Sequence, residues 1–394
     1  MQERANSRLS ELGLSAVLER VRDLASGPVA ARAQATDEER RWPEENFRAL
    51  QAAGLGGLVV PASCGGLGQG LFALARVCEE LGKSCASTAI GYGMHCVGAA
   101  VIAARATPDQ EERYLRPIAA GRHWTTLALS EPGTGSHFYF PQTSLLRLPH
   151  GTLHIVGKKS FVTNGGHADS YVVSTVAAEP DAPPGQFSCV AVGARTAGLH
   201  WEEPWAGVGM RGNSARGLTL DARVPAADLL GKEGDQIWYV FNVVAPYFLI
   251  AMAGTYLGIA ANALETARAH LAARRYEHTG AALADQPVLQ RELGILWRKV
   301  ERTRRLVYYA AAEGDAGSAE SLIALCSAKA EVADCAVEAV NAAMTLVGGI
   351  GYRAGGSLER SLRDARAAHV MAPTTLLLET WMGRALLGLP LLAE

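Results

Sequence analysis

Apolar positions in the first third of the chain recur at helical spacing. Phe47, Leu50 and Ala53 fall three apart, and Leu74, Val77 and Leu81 fall three and four apart, the period that lays side chains along one helix face. This predicts helices from about Arg8 to Arg122. Glycine interruptions at Gly54 to Gly57 and Gly65 to Gly70 break the zone into pieces joined by the apolar stretch Leu58-Val59-Val60. From about His123 to Asp235 the texture changes to short β-type runs: Leu153-His154-Ile155-Val156, Tyr171-Val172-Val173, Ser188-Cys189-Val190-Ala191-Val192 and Leu218-Thr219-Leu220. Turn clusters at Pro149-His150-Gly151 and Pro180-Asp181-Ala182-Pro183-Pro184-Gly185 separate them, which predicts a compact β-barrel or sandwich. From about Ile237 the helical period returns. Leu325, Ala328, Val332, Cys335, Ala339, Ala342 and Leu346 form a continuous stripe of the kind a bundle helix needs. Thr255 to His270 and Pro287 to Ala312 also read as helices, the latter with proline at its first position. The predicted class is α+β, with a helical domain (1–122), a β domain (123–235) and a second helical domain (236–394).

Composition narrows the class without naming a function. A chain of 394 residues with 49% hydrophobic and 19% charged residues supports a substantial core. The formal charge of −2, from 37 basic and 39 acidic residues, gives no field that would draw in a nucleic acid or an anionic membrane. The basic group Arg302, Arg304 and Arg305 reads as a solvated helix face. The seven cysteines (Cys64, Cys78, Cys85, Cys96, Cys189, Cys326, Cys335) never form a C-x-x-C pair, which predicts no metal site and reduced thiols in a cytoplasmic protein. The N-terminal residues lack the pattern of a secretion signal, and no apolar run is expected to span a membrane.

The chemistry concentrates in two segments. Ser130-Glu131-Pro132-Gly133-Thr134-Gly135-Ser136 follows the apolar Leu127-Ala128-Leu129. Its glycines let backbone amides approach a ligand and its serines add hydroxyl donors. Alone, a glycine turn leaving a strand would account for it. About 25 residues on comes Phe161-Val162-Thr163-Asn164-Gly165-Gly166, an aromatic, a hydroxyl and a tight turn suited to a flat heteroaromatic ring. Together they resemble the T-E-P-x-x-G-S and W-I-T-N-G segments of the acyl-CoA dehydrogenase family. The resemblance extends to Gly54-Leu55 through Val60-Pro61, Gly65-Gly66-Leu67-Gly68, Trp205 to Arg211, Val224-Pro225 and Leu229-Leu230-Gly231. It also takes in Gly348-Gly349-Ile350-Gly351-Tyr352 followed by Arg363-Asp364-Ala365-Arg366.

That resemblance implies an N-terminal helical domain, a middle β-barrel domain, a C-terminal four-helix bundle and FAD as cofactor. It places Leu129 and Ser130 at the pyrimidine edge of the isoalloxazine, and Gly135 and Ser136 near a phosphate. Phe161, Val162 and Thr163 would flank the ring, with Gly349 and Thr374 near the pyrophosphate and adenosine. Arg275, in a segment only loosely similar to the family's R-x-x-F-G, is the expected phosphate contact. A homotetramer built as a dimer of dimers, an acyl thioester substrate and an electron-transfer flavoprotein partner are further implications.

The pattern breaks at the proton-removing residue. Aligning Arg363-Asp364-Ala365-Arg366 puts Ala372 where the family keeps its catalytic glutamate, and an alternative site on the first long C-terminal helix falls on Phe248, beside Tyr247. Leu249 stands where many relatives carry arginine. No Asp or Glu lies between Gln236 and Asn262. His95, Tyr247, His369 and Glu379 are the candidates for a replacement: His95 lies in a segment resembling the family's substrate-wall helix and could bind substrate, Tyr247 would need a much lowered pKa, His369 could instead cap a helix, and Glu379 could instead be a solvated or salt-bridged carboxylate. The residues therefore leave two reactions open. One is α,β-dehydrogenation of an acyl thioester with an unusual base. The other is a flavin monooxygenase, supplied by a flavin reductase, which needs no α-proton base.

Overall fold

The computed structural model describes residues 2–177 and 187–392, with side chains from residue 13 onward; the turn expected at Pro180 to Gly185 lies outside the described residues. The first zone is helical: α1 (Gln2–Leu24), α2 (Ala30–Glu38), α3 (Glu44–Ala52), α4 (Leu71–Gly82), α5 (Ala86–Ala104) and the single turns α6 (Pro108–Gln110) and α7 (Arg116–Ala119). Phe47, Leu50, Leu74, Val77 and Leu81 are all buried, as their spacing predicts. Helix α5 departs from the amphipathic pattern. Its residues from Ala86 to Ile102 are buried on every side, as befits a helix enclosed by others.

This enclosure corrects one expectation. The helices at Ala86–Ala104, Gln236–Ala273 and Ser321–Ile350 are each long and apolar enough to cross a bilayer, contrary to the sequence reading. Their most apolar windows are 94%, 83% and 44% buried within the protein, so for the first two the apolar length is used in internal packing.

The middle zone resolves the expected barrel into two four-stranded sheets. One has the order β1 (Thr125–Ala128), β4 (Ser170–Thr175), β5 (Ser188–Gly193), β8 (Leu229–Leu230), with β1 parallel to β4. The other runs β2 (Ser144–Leu148), β3 (Thr152–Val162), β7 (Arg216–Pro225), β6 (Leu199–Trp201), all antiparallel. Strand β7 alternates buried and exposed residues, so one face meets the core. Strands β4 and β5, apolar at Tyr171 to Val173 and at Cys189 to Val192, are buried on both faces. The β3–β7 register shifts between Lys159 and Val162, and this bulge aims the residues between them.

The last zone begins at α8 (Gln236–Tyr239) and continues as α9 (Ala245–Ala273), α10 (Pro287–Ala316), α11 (Ser321–Val347), α12 (Ser357–Val370) and α13 (Thr375–Leu386). The stripe on α11 is buried at Leu325, Ala328, Val332, Cys335, Ala339 and Leu346. Helix α9 crosses α4 closely because Gly254 and Gly258 carry no Cβ: one added at Gly254 would lie 2.5 Å from the Ala75 carbonyl oxygen, and one at Gly258 would strike that of Glu79. Arg304 is not a solvated side chain. It turns inward to Glu79, at 2.9 Å, joining α10 to α4.

Candidate functional site

Strand β1 leads straight into Leu129 to Ser136, and the β3 bulge leads into Phe161 to Thr163. A short hydrogen bond welds the two segments: the Ser160 amide donates to the Ser130 carbonyl at 2.8 Å. A second, from the Thr126 hydroxyl to the Thr163 carbonyl at 2.9 Å, ties them on the other side. The two motifs thus form one cradle.

Within it, Phe161 has φ +53° and is 59% exposed, its ring edge-on to the exposed Trp205 at 5.4 Å. A large aromatic side chain held outward in the left-handed region is costly unless its surroundings fix it, and the bulge does so. Val162 is buried behind it and anchors the strand. Gly135, also left-handed at φ +54°, has no atom within 4 Å of where a Cβ would stand, leaving the backbone there open to a ligand. Asn164 is structural. Its side chain donates to the Gly91 carbonyl and accepts from the Trp42 indole, fastening the turn to α5 and the 42–47 segment.

Glu131 and Lys159, which the sequence reading did not single out, form a buried pair beneath this cradle. Lys159 Nζ lies 2.6 Å from Glu131 Oε1 and also donates to the Ser174 carbonyl at 2.5 Å and the Ser174 hydroxyl at 3.0 Å. Glu131 in turn accepts from the amides of Gln142 and Thr143 and from the Thr143 hydroxyl. Burial drives Lys159 down to about 8 against the pull of Glu131. For Glu131, burial works upward but is overcome by the Lys159 charge and the hydrogen bonds, leaving the carboxyl below its ordinary range. The carboxylate's direction fixes the pair as ionised at neutral pH.

A second cleft, of about 610 Å³, is lined by His270, Arg274, Arg275, Tyr276, Gly349 and Ile350, among others. It brings together Arg275 and Gly349, residues 74 positions apart that were singled out separately. Arg275 donates to the Gly280 carbonyl at 3.2 Å, closing its own turn with the guanidinium at the surface. Thr374 caps α13 by accepting from the Leu377 amide.

The Arg-Asp-Ala-Arg segment is a clamp. Asp364 accepts from the Met210 amide at 2.6 Å, and Arg363 donates to the Val208 carbonyl at 3.1 Å. A Cβ at Gly209 would collide with the Arg363 carbonyl, so the 205–211 loop needs glycine to lie this close. Burial pushes the Asp364 carboxyl up to about 6.

None of the candidates for a replacement base stands ready. His95 is fully buried, stacked on Trp124 at 3.8 Å, with Nε2 2.8 Å from the Gly56 carbonyl and Nδ1 accepting from the Thr125 amide. Those partners require the neutral ring, and burial lowers it to about 4. Both ring nitrogens are thus engaged by backbone within the core. Burial pushes Tyr247 up to about 12, the wrong direction for a phenolate base. His369 Nε2 pairs with Asp334 on α11 at 2.9 Å, in the last turn of α12. Glu379 is exposed on α13. Ala372 itself is half-buried in the turn between α12 and α13, which Lys329 holds by donating to the carbonyls of Ala368 and Pro373 at 2.8 and 2.9 Å.

Comparison with known proteins accounts for this arrangement. Residues 14–122 match the acyl-CoA dehydrogenase N-terminal domain, 126–222 the middle domain and 244–387 the C-terminal domain. The chain is 31% identical to a cyclohex-1-ene-1-carbonyl-CoA dehydrogenase of Geobacter metallireducens, covering 94% of this chain and 97% of that protein. Butyryl-CoA dehydrogenase of Megasphaera elsdenii superposes with a TM-score of 0.88 at 25% identity over 95% of this chain and 98% of that one. A structure described as the electron transferring flavoprotein of Acidaminococcus fermentans superposes with a TM-score of 0.87 at 27% identity, covering 95% of this chain and 97% of that one.

Proposed function

Because the chain belongs to the acyl-CoA dehydrogenase family, a family of FAD-containing oxidoreductases, we propose that it removes the α and β hydrogens of an acyl thioester. The observation that carries this reading is the single cradle made by Leu129 to Ser136 and Phe161 to Thr163. An outward aromatic ring beside open glycine backbone fits a flavin: the ring is a face to pack on and the amides are donors to its polar edge. Bound FAD would supply the hydride acceptor for the β carbon. In this reading Leu129 and Ser130 meet the pyrimidine edge, Gly135 and Ser136 approach a phosphate, and Phe161 and Thr163 form the flank, with Val162 buried behind them as an anchor and not a ring contact. The relatives named as dehydrogenases favour this over substrate oxygenation.

Arg275 and Gly349 supply a cationic, amide-rich cleft suited to the diphosphate or adenosine. It shares no residue with the cradle, which supports a flavin held between two copies of the chain. Ile350 and Tyr352, at 65% and 80% exposure, and Leu376, Leu386 and Leu387 on or beside α13 leave apolar surface for such an assembly. A homotetramer, a dimer of dimers, is the assembly proposed. The neighbour described as an electron transferring flavoprotein supports a partner of that kind as electron acceptor, and the seven unpaired cysteines support a cytoplasmic setting.

Ala372 offers no proton acceptor, so in this reading the chain's own residues bind and orient the thioester, and the α proton would pass to solvent water, more slowly than to a placed carboxylate. Anaerobic mixing of the FAD-loaded protein with a series of acyl-CoAs tests the reading. Loss of the oxidised flavin absorbance supports it; an unchanged spectrum with every thioester, alongside substrate oxygenation when a reductase supplies reduced flavin, would overturn it.

A further inference from the structure

We propose that Glu131 and Lys159 are a positioning and tuning pair for the flavin, setting both the reach of the cradle's backbone and the charge beneath it. This deepens the proposed function and rests on the flavin lying against Leu129 and Ser130.

The geometry is specific. Lys159 Nζ approaches the Leu129 carbonyl at 3.4 Å and Glu131 at 2.6 Å, so one ammonium holds both neighbours of Ser130. The next residue along β3, Ser160, donates to the Ser130 carbonyl at 2.8 Å, and Phe161 follows. The three consecutive residues Leu129, Ser130 and Glu131 are therefore pinned by two consecutive residues of the strand that presents the aromatic flank. Glu131 carries the constraint onward through the amides of Gln142 and Thr143, closing the loop that contains Gly135 and Ser136.

Both charges are shut off from solvent: the side chains are 0% and 4% exposed for Lys159 and Glu131. Screening there is weak and Coulomb effects reach further than at a surface. A structural tie alone would be served by an uncharged pair. A buried ammonium joined to the backbone that faces the electron-accepting ring does more, because it favours the added negative charge of a reduced flavin, and the carboxylate beside it limits that effect.

The two charges then have opposite consequences. Lys159→Met removes the cation and is expected to lower the midpoint potential of the bound flavin. Glu131→Gln retains hydrogen-bonding capacity, leaves the cation uncompensated and is expected to raise it. Both variants should weaken FAD binding about tenfold or more, the scale of losing a charge-assisted hydrogen bond, and Lys159→Arg should recover part of it. Measurements are made at pH 6 on the full chain: FAD affinity by quenching of flavin fluorescence, potential by dye-coupled reductive titration, and folding by circular dichroism. If Lys159→Met does not fold, Glu131→Gln and Lys159→Arg decide. Opposite shifts in the two charge-removing variants, or a raised potential in Glu131→Gln alone, support the inference. An unchanged potential in every variant that folds overturns it, leaving the pair a structural tie. Ser130→Ala and Ser136→Ala separate this from failure of the flavin placement: if neither weakens FAD binding, the placement fails; if they do while the pair's variants leave the potential unchanged, only the tuning role fails.

Discussion

Arg363 and Asp37, 326 positions apart, face each other with both terminal guanidinium nitrogens engaged: Nη1 to Oδ1 at 2.9 Å and Nη2 to Oδ2 at 2.5 Å. The side chains are 13% and 10% exposed, so the pair is largely removed from water and fixes α12 of the last zone against α2 of the first. Each partner keeps a second counter-charge, Glu359 beside Arg363 and Arg211 at 3.9 Å from Asp37, so losing one removes charge-assisted hydrogen bonds without stranding the other. Asp37→Ala is expected to cost about 2 kcal/mol, read as a lower denaturation midpoint in urea, while Arg366→Ala on the exposed side of the same helix stays within about 0.5 kcal/mol.

His95 and Asp364 give the stability opposite pH responses. His95 titrates near 4 in the folded chain and near 6.5 unfolded, so the unfolded chain takes up the proton first. The histidine's contribution is full above 6.5 and is lost as the pH falls towards 4, roughly 3 kcal/mol in all. Asp364, raised to about 6 from 3.8, binds its proton first in the folded chain, which gains relative stability as the pH falls from 6 to 3.8. The wild type should therefore lose ground to His95→Gln between pH 7 and pH 5, and gain ground on Asp364→Asn over the same interval. Thermal melts of the three proteins at both pH values check the signs.

Ala372→Glu places a carboxylate in the turn that Lys329 holds. With a thioester bound in the family's usual pose, flavin bleaching in stopped flow is expected to speed up about a hundredfold, the low end for a well-placed base. No change would mean that the α carbon lies elsewhere.

Arg275→Ala is expected to weaken FAD about tenfold or more through loss of a charge-assisted phosphate contact. The loss should shrink in high salt, because the guanidinium is exposed. Equilibrium dialysis at two ionic strengths reads both effects.

Much of the fold was legible because burial writes a period into the chain. The stripe from Leu325 to Leu346 and the runs at 153–156, 171–173, 188–192 and 218–220 all fall in the expected elements. Helix α5 was less legible as a buried element, since a helix enclosed on all sides has no polar face to give it a period. The cradle was readable from the types and spacing of Ser130, Gly135, Phe161 and Thr163. Its foundation was not. Lys159 sits in Lys158-Lys159, where one lysine is exposed and its neighbour fully buried, and only strand alternation at a bulge decides which. The surroundings of His95 were hidden for the mirror reason: its partners are the backbone of Gly56 and Thr125, which no side-chain pattern announces.

The central claim is that the substrate loses one hydrogen from each of two adjacent carbons. Anaerobic single-turnover reaction with an acyl thioester, followed by mass spectrometry of the acyl group, tests it directly. The account predicts an acyl product lighter by two hydrogens, formed in step with flavin reduction and in equal amount. Intact substrate, with an oxygenated product appearing only when reduced flavin and dioxygen are supplied, would contradict it.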